Sequence, residues 1–251
     1  MIQHIKDDLY QIGEHVQTEH GFEAILTYVM LNEGRPILID CGSHIHRQSV
    51  MQQLDSLIGE AVPEYLLLTH SELPHAGNIT AVAERWPDIK VIVSNVMLPY
   101  IEVLPVLPLE QITQVVPGTK FDFPTRTIEF VDALLKDQPG SHWIYDSRTG
   151  TLFTGDGFGY FNDEQAIGQL PQTASTSVSQ FAFEQYHKIA FRFLRWIRPE
   201  RLAVDLRKMF TKRRVEVIAP IHGNAICGEI ETHLDRLIDA LTAVKESYKS
   251  A

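Results

Sequence analysis

The chain is short of long apolar runs, of cysteine and of basic charge, and each shortage excludes a class of protein. No stretch of its 251 residues approaches the ~20 apolar residues needed to cross a bilayer. The opening MIQHIKDDLYQIGEH lacks the charged-then-apolar order of a secretory signal, so a cytoplasmic location is expected. Two cysteines, Cys41 and Cys227, are too few for a disulfide framework and read as reduced thiols. With 22 Lys and Arg against 32 Asp and Glu, the formal charge is −10 and no long basic run stands out. That balance argues against a nucleic-acid or anionic-membrane partner, both of which need a positive footprint. Low-complexity linkers are missing too. The segment QLPQTASTSVSQ is loop-like but lies inside the pattern, so one domain over residues 1–251 is expected.

What is present is an ordered alternation of short apolar segments and helical stretches. HIKDDLYQIG, FEAILTYVML and RPILIDCGS read as strands separated by turn residues. HRQSVMQQLDSLIG carries Val50, Met51, Leu54, Leu57 and Ile58 at helical spacing. YLLLTH and KVIVSN are buried strands flanking the short helix NITAVAERW, which makes residues 35–95 a parallel strand-helix-strand unit. The second half echoes this with strands at QITQVV and RTIEFVDALL and a hairpin, HWIYDSRTGTLFTGD, turning at residues 147–150. A long helix over about 179–197, the strand EVIAPIHG and a C-terminal helix from about Ile230 complete an α/β chain of two similar halves.

The residues able to do chemistry fall at strand ends. YLLLTHSELPHAGN supplies His70, Glu72 and His75 within six residues. Asp137 stands where an apolar strand gives way to a Pro-Gly turn, Asp156 ends the hairpin strand, and His222 ends EVIAPIHG. A single strand-end His or Asp is usually a turn cap. Four strand ends that all finish in imidazole or carboxylate match the donors of a nitrogen-and-oxygen metal site on loops held by a sheet scaffold.

THSELPHAGN, DQPGS, LFTGDGFG, APIHG and the early ILIDCGS, in this order, resemble the metallo-β-lactamase fold from about residue 8 to the end. The resemblance implies a four-layer αββα sandwich. Hydrolases of that fold carry His-x-His-x-Asp-His in the second of these motifs, whereas here Glu72 takes the second place. His-x-Glu is similar instead to the diiron domain of flavodiiron proteins and to stand-alone oxygen-binding diiron proteins. On that resemblance His70, Glu72 and His75 match ligands, Asp156 is the carboxylate shared by two metals, and His222 is the last ligand. Two positions depart from the family. Its aspartate falls on Pro74, and its third histidine falls on Asp137, with eighteen residues between Asp137 and Asp156. The mapping gives one metal His70, Glu72, Asp137 and Asp156, and the other His75, His222 and Asp156. The expected cofactors are two metal ions, iron first, with zinc or manganese as alternatives. Carboxylate in place of imidazole at Asp137 favours the ferric state there.

The resemblance implies O₂ or NO as ligand, with sensing, or reduction if an external redox or signalling partner exists. The chain leaves no room after its last helix for a flavodoxin-like domain, so no FMN is expected. Two other functions stay open: a metal-dependent hydrolase with an altered site, and a metal-poor ligand-binding scaffold. Other residues are weighed against blander roles. His142 reads as a surface group at a strand start, and His44 and His46 as solvated helix-start residues. His20 and Tyr28 are placed near the entrance without a role. Phe158, Tyr160 and Phe161 read as core packing more than as the roof of a gas pocket. The aromatic residues of the 179–197 helix, Phe181, Phe183, Tyr186, Phe191, Phe193 and Trp196, spread around its axis, so either the helix is deeply buried or, the favoured reading, one flank meets a second subunit in a homodimer.

Overall fold

The computed structural model describes residues 1–101, 107–174 and 178–249. Among the described residues, thirteen strands form two sheets. The first runs β1 (Gln3–Lys6), β2 (Leu9–Thr18), β3 (Gly21–Met30), β4 (Ile37–Ile39), β5 (Tyr65–Leu67), β6 (Lys90–Ser94) and β7 (Ile112–Val115), side by side in chain order. The second contains β8 (Lys120–Phe123), β9 (Arg126–Asp132), β10 (His142–Asp146), β11 (Thr151–Gly155), β12 (Val217–Pro220) and β13 (Ile226–Cys227), again neighbour to neighbour. Helices α1 (Arg47–Ile58), α2 (Leu73–Ala76) and α3 (Ile79–Arg85) belong to the first half. The second half has α4 (Pro171–Ala174), α5 (Gln180–Ala190), α6 (Pro199–Thr211) and α7 (Ile230–Ser247).

The period-2 alternation of the strands sorts their side chains into layers. Ile37, Ile39, Leu67 and Ile92 face inward and meet Phe130, Ile144, Phe153 and Val217 of the second sheet. Their neighbours Leu38, Leu66, Leu68, Val91 and Val93 face outward against Val50 and Leu54 of α1 and Ile79 and Val82 of α3. On the far side, Trp143, Leu152 and Ile218 pack under Phe183, Leu206, Leu234 and Leu237 of α5, α6 and α7. Helix, sheet, sheet, helix: the four-layer sandwich is there. β4, β5 and β6 pair in parallel as expected, and the 147–150 turn joins the antiparallel β10 and β11.

Five expectations change. HIKDDLYQIG is two strands, because Asp7 takes a left-handed φ of 49° and turns the chain between β1 and β2. QITQVV, assigned to the second half, is β7 and closes the first sheet parallel to β6. The 179–197 helix stops at Ala190, where Phe191 leaves helical geometry (φ −114°, ψ 67°), and a short 3₁₀ turn follows at Arg192–Arg195. α6, which begins with Pro199 in the first turn where a missing N–H costs nothing, was not expected at all. The loop expected over QLPQTASTSVSQ contains α4, and its residues 175–177 lie outside the described residues.

Candidate metal centre

Every candidate ligand sits on a loop leaving the carboxyl end of a strand, or on the short helix beyond one. His70 follows β5 by three residues, with Glu72 capping α2 and His75 inside it. Asp137 lies in the loop after β9, Asp156 directly after β11 and His222 two residues after β12. Backbone bonds tie the loops together: Cys41 N–H to His75 C=O (2.7 Å), His142 N–H to Thr69 C=O (3.0 Å) and Tyr160 N–H to His222 C=O (2.7 Å). Gly155, with φ 56°, makes the turn that aims Asp156. A Cβ there would lie 3.1 Å from Thr69 Oγ1 and 3.5 Å from His70 Nδ1, so glycine suits this position on both counts.

The six predicted ligands converge. Asp156 Oδ1 is 3.0 Å from His75 Nε2, 3.5 Å from His222 Nε2 and 3.9 Å from His70 Nε2. His70 Nε2 lies 3.2 Å from Asp137 Oδ2 and 4.0 Å from Glu72 Oε2. One donor atom from each of His70, Glu72, Asp137 and Asp156 falls within a 4.8 Å span, and the same holds for His70, His75 and Asp156. His222 joins neither group, so the second set of the mapping is looser than the first. A cavity of ≈ 710 Å³ opens over the cluster, lined by Glu72, Pro74, Asp137, Asp156, Tyr186 and His222.

The electrostatics follow from burial and neighbours. Burial alone would raise the Asp156 carboxyl, but the imidazoles of His222, His70 and His75 hold it far below the usual carboxylate range. Asp137, largely but not fully buried and facing Asp156 and Glu72, is pushed up despite the nearby His70. Contact with His70 holds Glu72 down against partial burial. For His75, burial lowers the pKa, yet Asp40 and Asp156 on its two nitrogens raise it to about 10.

The residues fit metal ions. His70 Nε2 and Asp137 Oδ2 are both buried, 3.2 Å apart, and without a hydrogen-bond partner. Two unsatisfied lone-pair donors facing a common point is the arrangement a cation would satisfy. The donor set, imidazole and carboxylate without thiolate, suits iron, manganese or zinc.

Sequence reasoning missed the residues behind the ligands. Asp40, fully buried at φ 55°, accepts from Thr69 N–H (2.7 Å), the Thr69 hydroxyl (2.6 Å) and His75 Nδ1 (2.8 Å). It fixes the tautomer of His75 as carboxylates behind metal-ligating histidines do. Its signal was an acid ending the apolar run ILID. Glu23 lies 2.9 Å from His222 Nδ1, and the Tyr186 ring stacks on His222. Gln138, with its carbonyl held by Ser71 (2.9 Å), donates to Glu72 (2.5 Å), and the Ser141 hydroxyl donates to Asp137 (3.1 Å).

Several secondary expectations resolve. His142 is not a surface group: it is buried against Phe130, and burial drives its pKa down to about 4. Tyr28 is a core residue donating to Pro220 C=O, whereas His20 lines the cavity. Phe158 and Tyr160 are core, and Phe161 faces the cavity. His44 is exposed and His46 partly so, and both lie outside the cavity lining. Cys41 and Cys227 form no disulfide.

Fold and site together define a protein of metallo-β-lactamase architecture with a carboxylate-rich histidine cluster at the sheet ends. A family model described as ODP family beta lactamase matches residues 24–223, and the chain belongs to that family. Among curated relatives, diflavin flavoprotein A 1 of Synechocystis is 30% identical over 157 residues, covering 59% of this chain and 26% of that protein. The anaerobic nitric oxide reductase flavorubredoxin of Vibrio vulnificus is 25% identical over 184 residues, covering 66% and 37%. This chain therefore spans well under half the length of these relatives. Among solved structures, the flavodiiron protein of Giardia intestinalis superposes with a TM-score of 0.80 at 15% identity, over 98% of this chain and 60% of that one.

Proposed function

We propose that the chain holds two metal ions, iron by preference, and binds O₂ or NO at them. The observation that carries the proposal is the convergence of His70, Glu72, Asp137 and Asp156 within 4.8 Å, with His75 and His222 reaching the same Asp156 oxygen that faces His70. Its support from comparison is the family membership and the relative named as a nitric oxide reductase. Iron held here would supply the binding positions for the diatomic ligand and the electrons exchanged with it.

The chain's own residues set the surroundings. Asp40 holds the proton on His75 Nδ1 and leaves Nε2 directed at Asp156. Gln138 and Ser141 hold the two carboxylates that face His70. Tyr186 and Phe161 cover the cavity side of His222, and Pro74 presents carbon where the family resemblance expects a carboxylate. Loss of that carboxylate weighs against activation of a hydrolytic water and favours ligand binding or redox chemistry.

It is part of the proposal that residues 1–251 act as one cytoplasmic metal-binding domain, as a homodimer, with electrons or signals exchanged with a separate protein. Among the described residues no helix is long and apolar enough to cross a membrane. The test is metal content by mass spectrometry on protein purified without oxygen, with absorption spectra before and after air or NO. Two irons per chain and a new near-ultraviolet to visible band support the reading. Zinc with ester or phosphodiester turnover points to the hydrolase, and absence of metal overturns both.

A further inference from the structure

The charge of this chain is unevenly placed. Residues 192–214 hold nine of its 22 Lys and Arg but only two of its 32 Asp and Glu, so the remaining surface is strongly acidic. Within that stretch Arg198, Arg201, Asp205, Lys208 and Lys212 are spaced three and four apart and form one stripe along α6. The four cations are exposed, and none of them has an ion-pair partner among the described residues. Three other basic groups of the stretch are engaged: Arg207 with Asp235, Arg213 with Glu129, Arg214 with Glu216.

The stripe borders a continuous groove. One section, of ≈ 830 Å³, has Leu134, Phe193, Ile197 and Leu202 in its floor and Arg198 and Arg201 at its edge. The next, of ≈ 400 Å³, shares Leu134 and Asp205 with the first and adds Lys208 and Lys212. The floor is where the helix-side core reaches the surface, since Leu134, Phe193, Ile197 and Leu202 are all partly buried against it. From Arg198 to Lys212 the groove follows the helix for about 20 Å at 1.5 Å per residue.

We propose that this groove docks an acidic amphipathic segment of a different polypeptide. Its apolar side chains would cover the floor, and its carboxylates would meet the four unpaired cations. The length accommodates a helix of about fourteen residues, the mode by which one amphipathic face lies in an apolar groove. A second copy of this chain is disfavoured on two counts. A two-fold contact through this face sets the cationic stripes against each other, and a head-to-tail contact gives rings or filaments rather than a two-fold dimer. An anionic bilayer or nucleic acid is repelled by the acidic remainder of the surface. The groove also bears on the candidate metal centre. Ala133, Leu134 and Lys136 line it, and the next residue is Asp137. Only this last link rests on the proposed function; the docking itself does not.

The test is selection of the full-length protein against a displayed library of random peptides of about fourteen residues. Fluorescence anisotropy then follows with the enriched peptides, with vesicles containing phosphatidylserine, and with a single-stranded oligonucleotide. The expected result is enriched peptides with net negative charge and regularly spaced apolar residues. Arg201→Glu with Lys208→Glu should weaken their binding about tenfold or more, as should raising salt to about 0.3 M. Both substitutions are on exposed positions, and an unchanged melting curve confirms that the fold is intact. Peptides without acidic bias, or peptides that bind the double variant equally well, overturn the proposal. So does binding of vesicles or oligonucleotide that the peptides fail to displace. Metal content measured on the same variant separates the two readings, because it should not change.

Discussion

Asp40→Asn isolates the contribution of one buried carboxylate to the candidate metal centre. Asp40 Oδ1 accepts from Thr69 N–H, which an asparagine oxygen can still do. Its Oδ2 accepts from the Thr69 hydroxyl and lies 2.8 Å from His75 Nδ1. In the asparagine variant an N–H₂ group faces both. The hydroxyl can rotate and accept, but His75 must present a bare Nδ1, which leaves its one remaining proton on Nε2. That nitrogen is the one 3.0 Å from Asp156 Oδ1 and the one offered to a metal. Binding then requires the tautomer to revert against an opposed donor, at a cost of about one charge-assisted hydrogen bond, ~1.5–3 kcal/mol. Metal affinity should fall about 10–100-fold. The backbone is not at fault, because asparagine tolerates the φ of 55° that Asp40 adopts. The assay is anaerobic titration of metal-free protein with ferrous iron against a competing chelator, alongside a thermal melt. Equal affinity in the two proteins would refute the reasoning, and so would a loss explained entirely by unfolding.

The pKa of His75, raised to about 10 by Asp40 and Asp156 against its burial, makes it an imidazolium at neutral pH in metal-free protein. Its contribution to stability is therefore complete below the unfolded value of about 6.5 and is lost as pH rises through 10. Metal binding through Nε2 must expel that proton, so affinity should climb about tenfold per pH unit toward 10, read as proton release in weakly buffered titrations. Gly159→Ala puts a Cβ 2.3 Å from Tyr186 Cε1, displacing the ring from His222. A loss of about 1–3 kcal/mol in urea unfolding is expected, with a changed spectrum of the ligand-bound centre. Pro74→Asp should be tolerated, because an acid suits the first turn of a helix, and it faces the same cavity as His222. It should tighten the weaker of two metal-binding steps, and an unaltered second step counts against the mapping.

The layers of the fold were legible wherever strands were short, apolar and bounded by turn residues, as with Leu66–Leu68 and Val91–Val93. What escaped were features decided by a few degrees of backbone or by tertiary partners. Asp7 turns one expected strand into two through a left-handed φ that no apolar count reveals. Phe191 interrupts a helix because its ring is wanted in the core beside His187 and Phe193, while Trp196 stays exposed. The helical period of α6 was hidden by its many charges, which carry little hydrophobic signal although Leu206, Met209 and Phe210 are buried. At the site, ligand-type residues at strand ends were visible because loops at sheet ends announce themselves. The residues behind them were not. Tyr186 and Gln138 are polar groups in a helix and a loop whose partners lie 36 and 66 residues away in His222 and Glu72.

The two departures from the family pattern make sense at different levels of structure. At residue 74 the backbone asks for a helix start, with Glu72 extended as the cap and the chain helical from Leu73. Proline meets that demand as well as an acid does, so the exchange leaves α2 and the position of His75 intact while taking an oxygen out of the cavity. At residue 137 the loop after β9 delivers a short side chain close to His70, and Ser141 holds its other oxygen. The carboxylates are thereby redistributed. Three of them, Glu72, Asp137 and Asp156, surround His70, while the imidazoles of His75 and His222 reach the same Asp156 oxygen. Burial first, and then the neighbouring Asp156 and Glu72, raise the Asp137 pKa, and a multivalent cation among the carboxylates offsets both. The position at His70 should therefore fill first when iron is limiting and favour the more highly charged ion. On the proposed function, the position beside His75 and His222, richer in nitrogen and poorer in charge, should be the weaker of the two.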